Sequence, residues 1–380
     1  METKKSILIL FVALSLFAVS PLSFAAEVNE EAKDEVAAPF SKKSSRGNTF
    51  NPEISANFLG LYQRGTGLSD DRTVVPHNGF SLQEAEIQFT ADVDPYLRAA
   101  ALLAISQEDG GTEYVAEPEE IYLETIQLPG FTIRAGKFKL ALGKQNQLHS
   151  HALPFIDGPL INDILLGGEG LNESGVSVSY LIPAGWYSEI QLQAFSLSNE
   201  ELFNSQRSGD MGGLLHLKNL WDLSDSLTFE LGLSGATGKN EFDENSSIYG
   251  ADLTFKWRPV EGGKYQAVVW STEYLTADRK GRLDATSGAS LEELGGVATW
   301  LQYQFSQRWW IQARHEAIGV PRPDAIPSQE RQSALLGFFP SEFSGIRFQY
   351  DRDKVVGAAT DHTFSLQYNV SIGAHPAHMY

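Results

Sequence analysis

The sequence predicts an all-β chain: a transmembrane, antiparallel, up-and-down β-barrel of about 16 strands, preceded by a signal peptide and a short disordered periplasmic tail. Three observations predict it. An export signal opens the chain, a period-two pattern runs from residue 51 onward, and short joins alternate with long polar stretches. The expected boundaries are 1–25 for the signal peptide, 26–50 for the tail and 51–380 for the barrel.

Lys4 and Lys5 precede an uncharged apolar stretch over 7–19, and Pro21 with small residues leads to Ala25. Cleavage after Ala25, with Ser23 at the −3 position, fits a secretory leader. The apolar stretch is shorter than the roughly 20 residues of a transmembrane helix. No later run reaches 18 apolar residues, so membrane residence points to strands. Residues 27–47 are polar, mix acidic and basic blocks and carry no sustained apolar face, which suits a disordered tail. Cysteine is absent, removing disulfides and thiol chemistry. The net charge of −19 at pH 7 argues against a nucleic-acid partner and for a field that attracts cations.

In 84–93, Ala85, Ile87, Phe89, Ala91 and Val93 share one face while Glu84, Glu86, Gln88, Thr90 and Asp92 share the other. The last strand sets Phe364, Leu366, Tyr368, Val370 and Ile372 against Thr363, Ser365, Gln367, Asn369 and Ser371. A soluble sandwich would show the same alternation; connection lengths separate the two, because outer-membrane barrels alternate short periplasmic turns with longer external loops. Short joins are expected at 94–95, 129–130, 183–185, 222–225, 260–264, 306–308 and 340–342. Long stretches are expected at 65–79, 107–118, 143–170, 199–210, 238–247, 277–293, 319–331 and 353–361. Seven and eight connections join sixteen strands and put both ends in the periplasm. Aromatic residues beside the short joins, such as Trp186, Tyr187, Trp221, Trp257, Tyr265, Trp309, Trp310 and Phe343, suit an interfacial girdle.

An outward apolar face leaves a polar face for a water-filled lumen. The expected pore-lining residues are Glu84, Glu86, Asp92, Arg134, Glu189, Glu230, Asp252, Lys256, Arg314, Glu316, Arg347 and Asp351. Acids outnumber bases, so weak cation preference is expected unless opposite charges pair across neighbouring strands. The 143–170 stretch is too apolar for a free loop, with Leu153, Phe155, Ile156, Leu160, Ile161, Ile164 and Leu165. It is expected either to enter the barrel mouth as a constriction or to pack over the rim. Two close histidine pairs stand out, His149 with His151 and His375 with His378. Imidazoles one residue apart in an extended segment can face one zinc, copper or nickel ion, whereas solvated loop histidines are the plain alternative. The topology places the pairs at opposite barrel ends.

Ser174 lacks the flanking glycines of a nucleophile elbow, and no HExxH or phosphate-loop sequence is present; the chain is expected not to be an enzyme. The runs GFSLQEAEIQFTADVDPYLRA (79–99), RAGKFKLALGKQNQLHSHALPFIDGP (134–159), GGEGLNESGVSVSYLIP (167–183) and IGAHPAHMY (372–380) together resemble zinc-regulated TonB-dependent outer membrane receptors. The KFK segment is similar to the phosphate-selective porin group, which implies a sixteen-stranded barrel. Arg134, Lys137, Lys139 and Lys144 are placed to form a local anion site beside the expected constriction. The function these readings imply is a porin-like channel for passive diffusion of small solutes or ions. The alternative is a zinc-linked receptor or binding barrel without a plug domain. The expected location is the bacterial outer membrane. The expected partners are its lipid and lipopolysaccharide, the barrel-assembly machinery, and further copies in a homotrimer. No cofactor other than zinc is expected.

Overall fold

The computed structural model describes residues 52–66, 78–107, 113–282, 292–321 and 328–373. The expected signal peptide and tail, and the pair His375 and His378, lie outside the described residues. Sixteen strands form one closed antiparallel barrel. The first eight are β1 (Glu53–Gly65), β2 (Gly79–Asp92), β3 (Leu97–Gln107), β4 (Tyr114–Thr125), β5 (Phe131–Lys139), β6 (Asn172–Leu181), β7 (Tyr187–Ser196) and β8 (Met211–Ser224). The others are β9 (Leu227–Lys239), β10 (Asn245–Trp257), β11 (Ala267–Arg279), β12 (Glu293–Ser306), β13 (Trp309–Ile318), β14 (Gln329–Ser341), β15 (Ser344–Val355) and β16 (Asp361–Gly373). Each pairs with its sequence neighbours, and β1 closes the ring on β16 with Phe58 opposite Val370.

The wall follows from the alternation. On β16, Phe364, Leu366, Tyr368 and Ile372 are exposed while Thr363, Ser365 and Gln367 are buried. On β15, Ile346 and Phe348 face out while Arg347, Gln349 and Asp351 are buried. Apolar side chains outside and polar ones inside invert the rule of soluble proteins and match a lipid surround. Outside, Trp186, Trp221, Phe229, Phe255 and Trp270 stack in a continuous row, with successive centroids 6.1, 5.4, 4.6 and 5.6 Å apart.

All seven expected short joins are present, at 93–96, 126–130, 182–186, 225–226, 258–266, 307–308 and 342–343. Several expected long stretches are shorter, among them 108–113 in place of 107–118 and 240–244 in place of 238–247. The cause is continued pairing, of Gln107 with Tyr114 and of Lys239 with Asn245. Sixteen strands are also fewer than the 22 of plugged outer-membrane transporters, so the architecture departs from what the TonB-dependent resemblance implies.

Of the two expectations for the longest connection, the structure takes the first. Residues 140–171 leave β5 and fold into the barrel as an inner loop, with single turns at Gln145–Gln147 and Ser150–Ala152 and a short helix α1 (Leu160–Leu166). A buried cluster joins Leu140, Leu142, Ile161 and Leu165 of this loop to inward residues near the long-loop ends of the wall, such as Leu275 and Ile318. This corrects the expectation of a uniformly polar inner face: toward the long loops the interior is a dry core.

Candidate functional site: the barrel interior and its inner loop

The inner loop is bonded to strands all round the barrel. Glu273 on β11 is fully buried and accepts hydrogen bonds from Lys144 N–H at 2.7 Å, Gln145 N–H at 2.9 Å and Asn162 Nδ2 at 3.2 Å. Gly143 N–H donates to Ser234 Oγ on β9 and Ala141 N–H to Gln193 Oε1 on β7, both at 3.0 Å. Three loop amides on one carboxylate satisfy donors that would otherwise be stranded in the interior.

A second set of contacts is ionic. Asp157 lies between Arg314 on β13, at 2.8 Å, and Arg331 on β14, at 2.6 Å. Burial would raise its pKa, but these two guanidinium groups, with Gln349 Nε2 donating at 2.6 Å, hold Asp157 below the ordinary carboxylate range. Arg314 also reaches Glu316 at 2.9 Å and lies over the Phe155 ring at 4.5 Å. Leu160 N–H donates to Glu316 Oε2 at 2.6 Å, and Arg347 donates to the Leu153 carbonyl at 2.6 Å.

The third set meets β2 and β4. In each strand the register slips by one residue, at Gln83 against Leu59 and Gly60, and at Glu119 against Leu102 and Leu103. A bulge of this kind sends adjacent side chains to the same side. Gln83 and Glu84 therefore both reach the inner loop, at the Ile156 carbonyl and at Ser150 Oγ, and Glu119 and Glu120 both reach His149. His149 Nδ1 lies 3.1 Å from Glu119 Oε1, and Nε2 lies 3.1 Å from Glu120 Oε2. Burial alone would lower the His149 pKa, but the two carboxylates outweigh it and raise it to about 10. His151 Nδ1 contacts Glu86, and its ring stacks on that of His149 at 5.9 Å. The solvated-loop alternative for this pair is thereby corrected, since both imidazoles are packed against the wall.

The remaining expected residues are dispersed. Glu230 pairs with Lys144 at 3.1 Å, and Gln349 Nε2 donates to Asp351. Arg134 pairs with Glu124 at 2.6 Å and lies over Tyr122. Glu189 accepts from Tyr187 Oη and Gln191, and Asp92 pairs with Arg98. Asp252 is buried, and a Cβ at Gly232 would stand 2.2 Å from its carboxylate; glycine leaves the room. Lys137 donates to the Pro118 carbonyl and Lys139 pairs with Glu119, so the expected cluster of Arg134, Lys137, Lys139 and Lys144 is split among separate partners. At the short-join end a cavity of about 850 Å³ is bordered by Lys144, Lys256, Arg258 and Lys264 together with Asp225 and Glu230. Sequence reading missed Glu119 and Glu120, because alternation assigns one residue of such a pair to lipid. Pro118, which can donate no ladder hydrogen bond, is the available sign of a bulge there.

No family model matches the sequence. Among solved structures, the in-vitro folded outer membrane protein OmpT of Vibrio cholerae is 8% identical with a TM-score of 0.55, over 86% of this chain and 99% of that one; it is also described in a trimer form. The outer membrane channel DcaP of Acinetobacter baumannii is 12% identical with a TM-score of 0.53, over 85% and 96%. OprB of Pseudomonas putida is 14% identical with a TM-score of 0.54, over 85% and 94%. These likenesses are of fold, and they place the barrel in the bacterial outer membrane. By sequence, the chain is 30% identical over 403 residues to an uncharacterized protein of Aquifex aeolicus, covering 90% of this chain and 81% of that protein. The chain is an outer-membrane β-barrel and belongs to the family of that Aquifex protein.

Proposed function

We propose that the barrel is a porin-like channel for passive diffusion of small solutes or ions, with residues 140–171 as its constriction. The observation that supports this most directly is the cavity of about 850 Å³ that enters from the short-join end and reaches the inner loop at Lys144. Its polar side chains are fixed, Lys144 between Glu230 at 3.1 Å and Thr254 Oγ1 at 3.1 Å, which suits a filter that selects by charge and diameter. Four basic groups against two acidic ones around this vestibule favour anions. That reverses the cation preference expected from the acid-rich sequence, because many acids of the wall are occupied by the inner loop or by Arg314 and Arg331. Assembly as a homotrimer belongs to the same reading and is in keeping with the trimer form of the Vibrio protein.

Planar-bilayer recordings test the proposal. Discrete conductance steps are expected, smaller than those of a sixteen-stranded barrel without an inward loop, with a reversal potential in a salt gradient on the anion side. A silent bilayer with folded protein present would overturn the channel. A second reading, a zinc-linked binding barrel, is favoured by the carboxylates around His149 and is independent of conduction.

A further inference from the structure

We propose that Glu86, Glu119 and His149 bind a first-row divalent transition-metal ion that clamps the inner loop to the wall. One ligand atom from each of the three lies within 4.8 Å of the others. They come from three separate stretches of chain: Glu86 from β2, Glu119 from the bulge in β4 and His149 from the inner loop. Ligand atoms at about 2.0–2.2 Å from a tetrahedral ion stand roughly 3.4 Å apart, so modest side-chain rotations close the triad around one ion. His151, stacked on His149 and touching Glu86, stands where a fourth ligand is wanted.

A second observation points the same way. Glu86 is 2% exposed; its Oε2 contacts His151 Nδ1, and neither carboxylate oxygen makes a hydrogen bond of good geometry. Glu119 Oε2 likewise lacks one, while Glu119 Oε1 is met by Lys139 and by His149 Nδ1. A buried carboxylate left so is costly. The surroundings deepen the deficit: Glu84, Glu86, Glu119 and Glu120 gather four acids, faced by Lys139, 2.9 Å from Glu119, and by the two histidines. A divalent cation takes the place of the His149 proton, adds positive charge among the four acids and supplies the missing bonds. Mixed imidazole and carboxylate donors suit zinc, cobalt or nickel better than calcium or magnesium, which favour all-oxygen shells. The inference goes beyond the channel and does not depend on it.

The test uses the untagged chain extracted from the outer membrane in detergent, stripped by a chelator and titrated with Co²⁺. One ion per chain is expected, with visible absorption bands that Zn²⁺ abolishes and a large excess of Mg²⁺ leaves in place. E86Q and E119Q are expected to weaken uptake by more than the roughly 10–100-fold that loss of an outer-shell partner costs. The double variant H375A/H378A is expected to bind as the parent does. The spectrum of the parent chain needs no variant to fold. Absence of Co²⁺ uptake by the stripped parent means that Lys139 and the histidines suffice, and overturns the proposal. So does uptake unchanged in E86Q and E119Q while both remain folded, or uptake lost only in H375A/H378A.

Discussion

Residues 140–142 and 160–171 of the inner loop meet one arc of the barrel, and residues 149–157 between them meet another. The first stretch is held largely by burial, with Leu140, Leu142, Ile161 and Leu165 closing a dry core on the wall. The second combines a smaller apolar cluster, Phe155 and Ile156 against Leu61, Ala298, Trp300 and Leu335, with a set of charges, through His149 to β4, Asp157 to β13 and β14, and Arg347 to loop carbonyls. Apolar burial is non-directional and insensitive to proton concentration, whereas ion pairs are directional and titrate. One loop is therefore fastened firmly on one side and adjustably on the other, and the adjustable side is where the carboxylates gather.

The largest expected effect on this contrast comes from Arg314→Ala. It strands the fully buried Glu316 and removes a cation from Asp157, a loss of about 3–5 kcal/mol for breaking a buried pair. Residues 149–157 should become open to protease and the conductance step should rise, while hydrogen exchange at 160–166 stays slow. A conductance equal to the parent's would show that charge is not what holds this side. Leu142→Ala should cost about 3 kcal/mol through the void it leaves, read as a lower unfolding midpoint in detergent with ion selectivity intact. A change of selectivity would mean that the two sides are not separate.

The smallest effect is that of acid. Because the folded-state pKa of Asp157 is depressed, its contribution is complete above the ordinary aspartate value of about 3.9 and is lost as pH falls through the lower folded value. Channel conductance should hold from pH 7 to about 4 and rise only below that; a rise already at pH 5 would exclude Asp157 as the fastening.

Strand number, outward faces and turn positions were legible because period two is a local property, written in neighbours such as Phe364 and Ser365. The inward course of 140–171 was legible in its apolar content, since Phe155 and Ile161 cannot remain in water. Its partners were not. Glu273 and Arg347 look like ordinary wall charges until the loop amides and carbonyls that bind them are brought near by the closed ring. The bulges were hard to read for a different reason: an inserted Gln83 or Glu119 shifts the phase of the pattern without changing its composition, and only Pro118 beside the second marks it. The dry end of the interior was hidden too, because inward Leu275 and Ile318 break the alternation in the same way as a strand end would.

The seam between β1 and β16 joins residues as distant in the chain as Gln63 and Ser365. Residues 140–171 lie between those two strands in sequence, yet they touch β2 on one flank and β15 on the other. A completed ring of hydrogen-bonded strands has no side door, so once the seam is closed the segment can enter or leave only through an end of the barrel. A polypeptide cut short before β15 would lack the seam together with part of the anchorage of what the seam encloses.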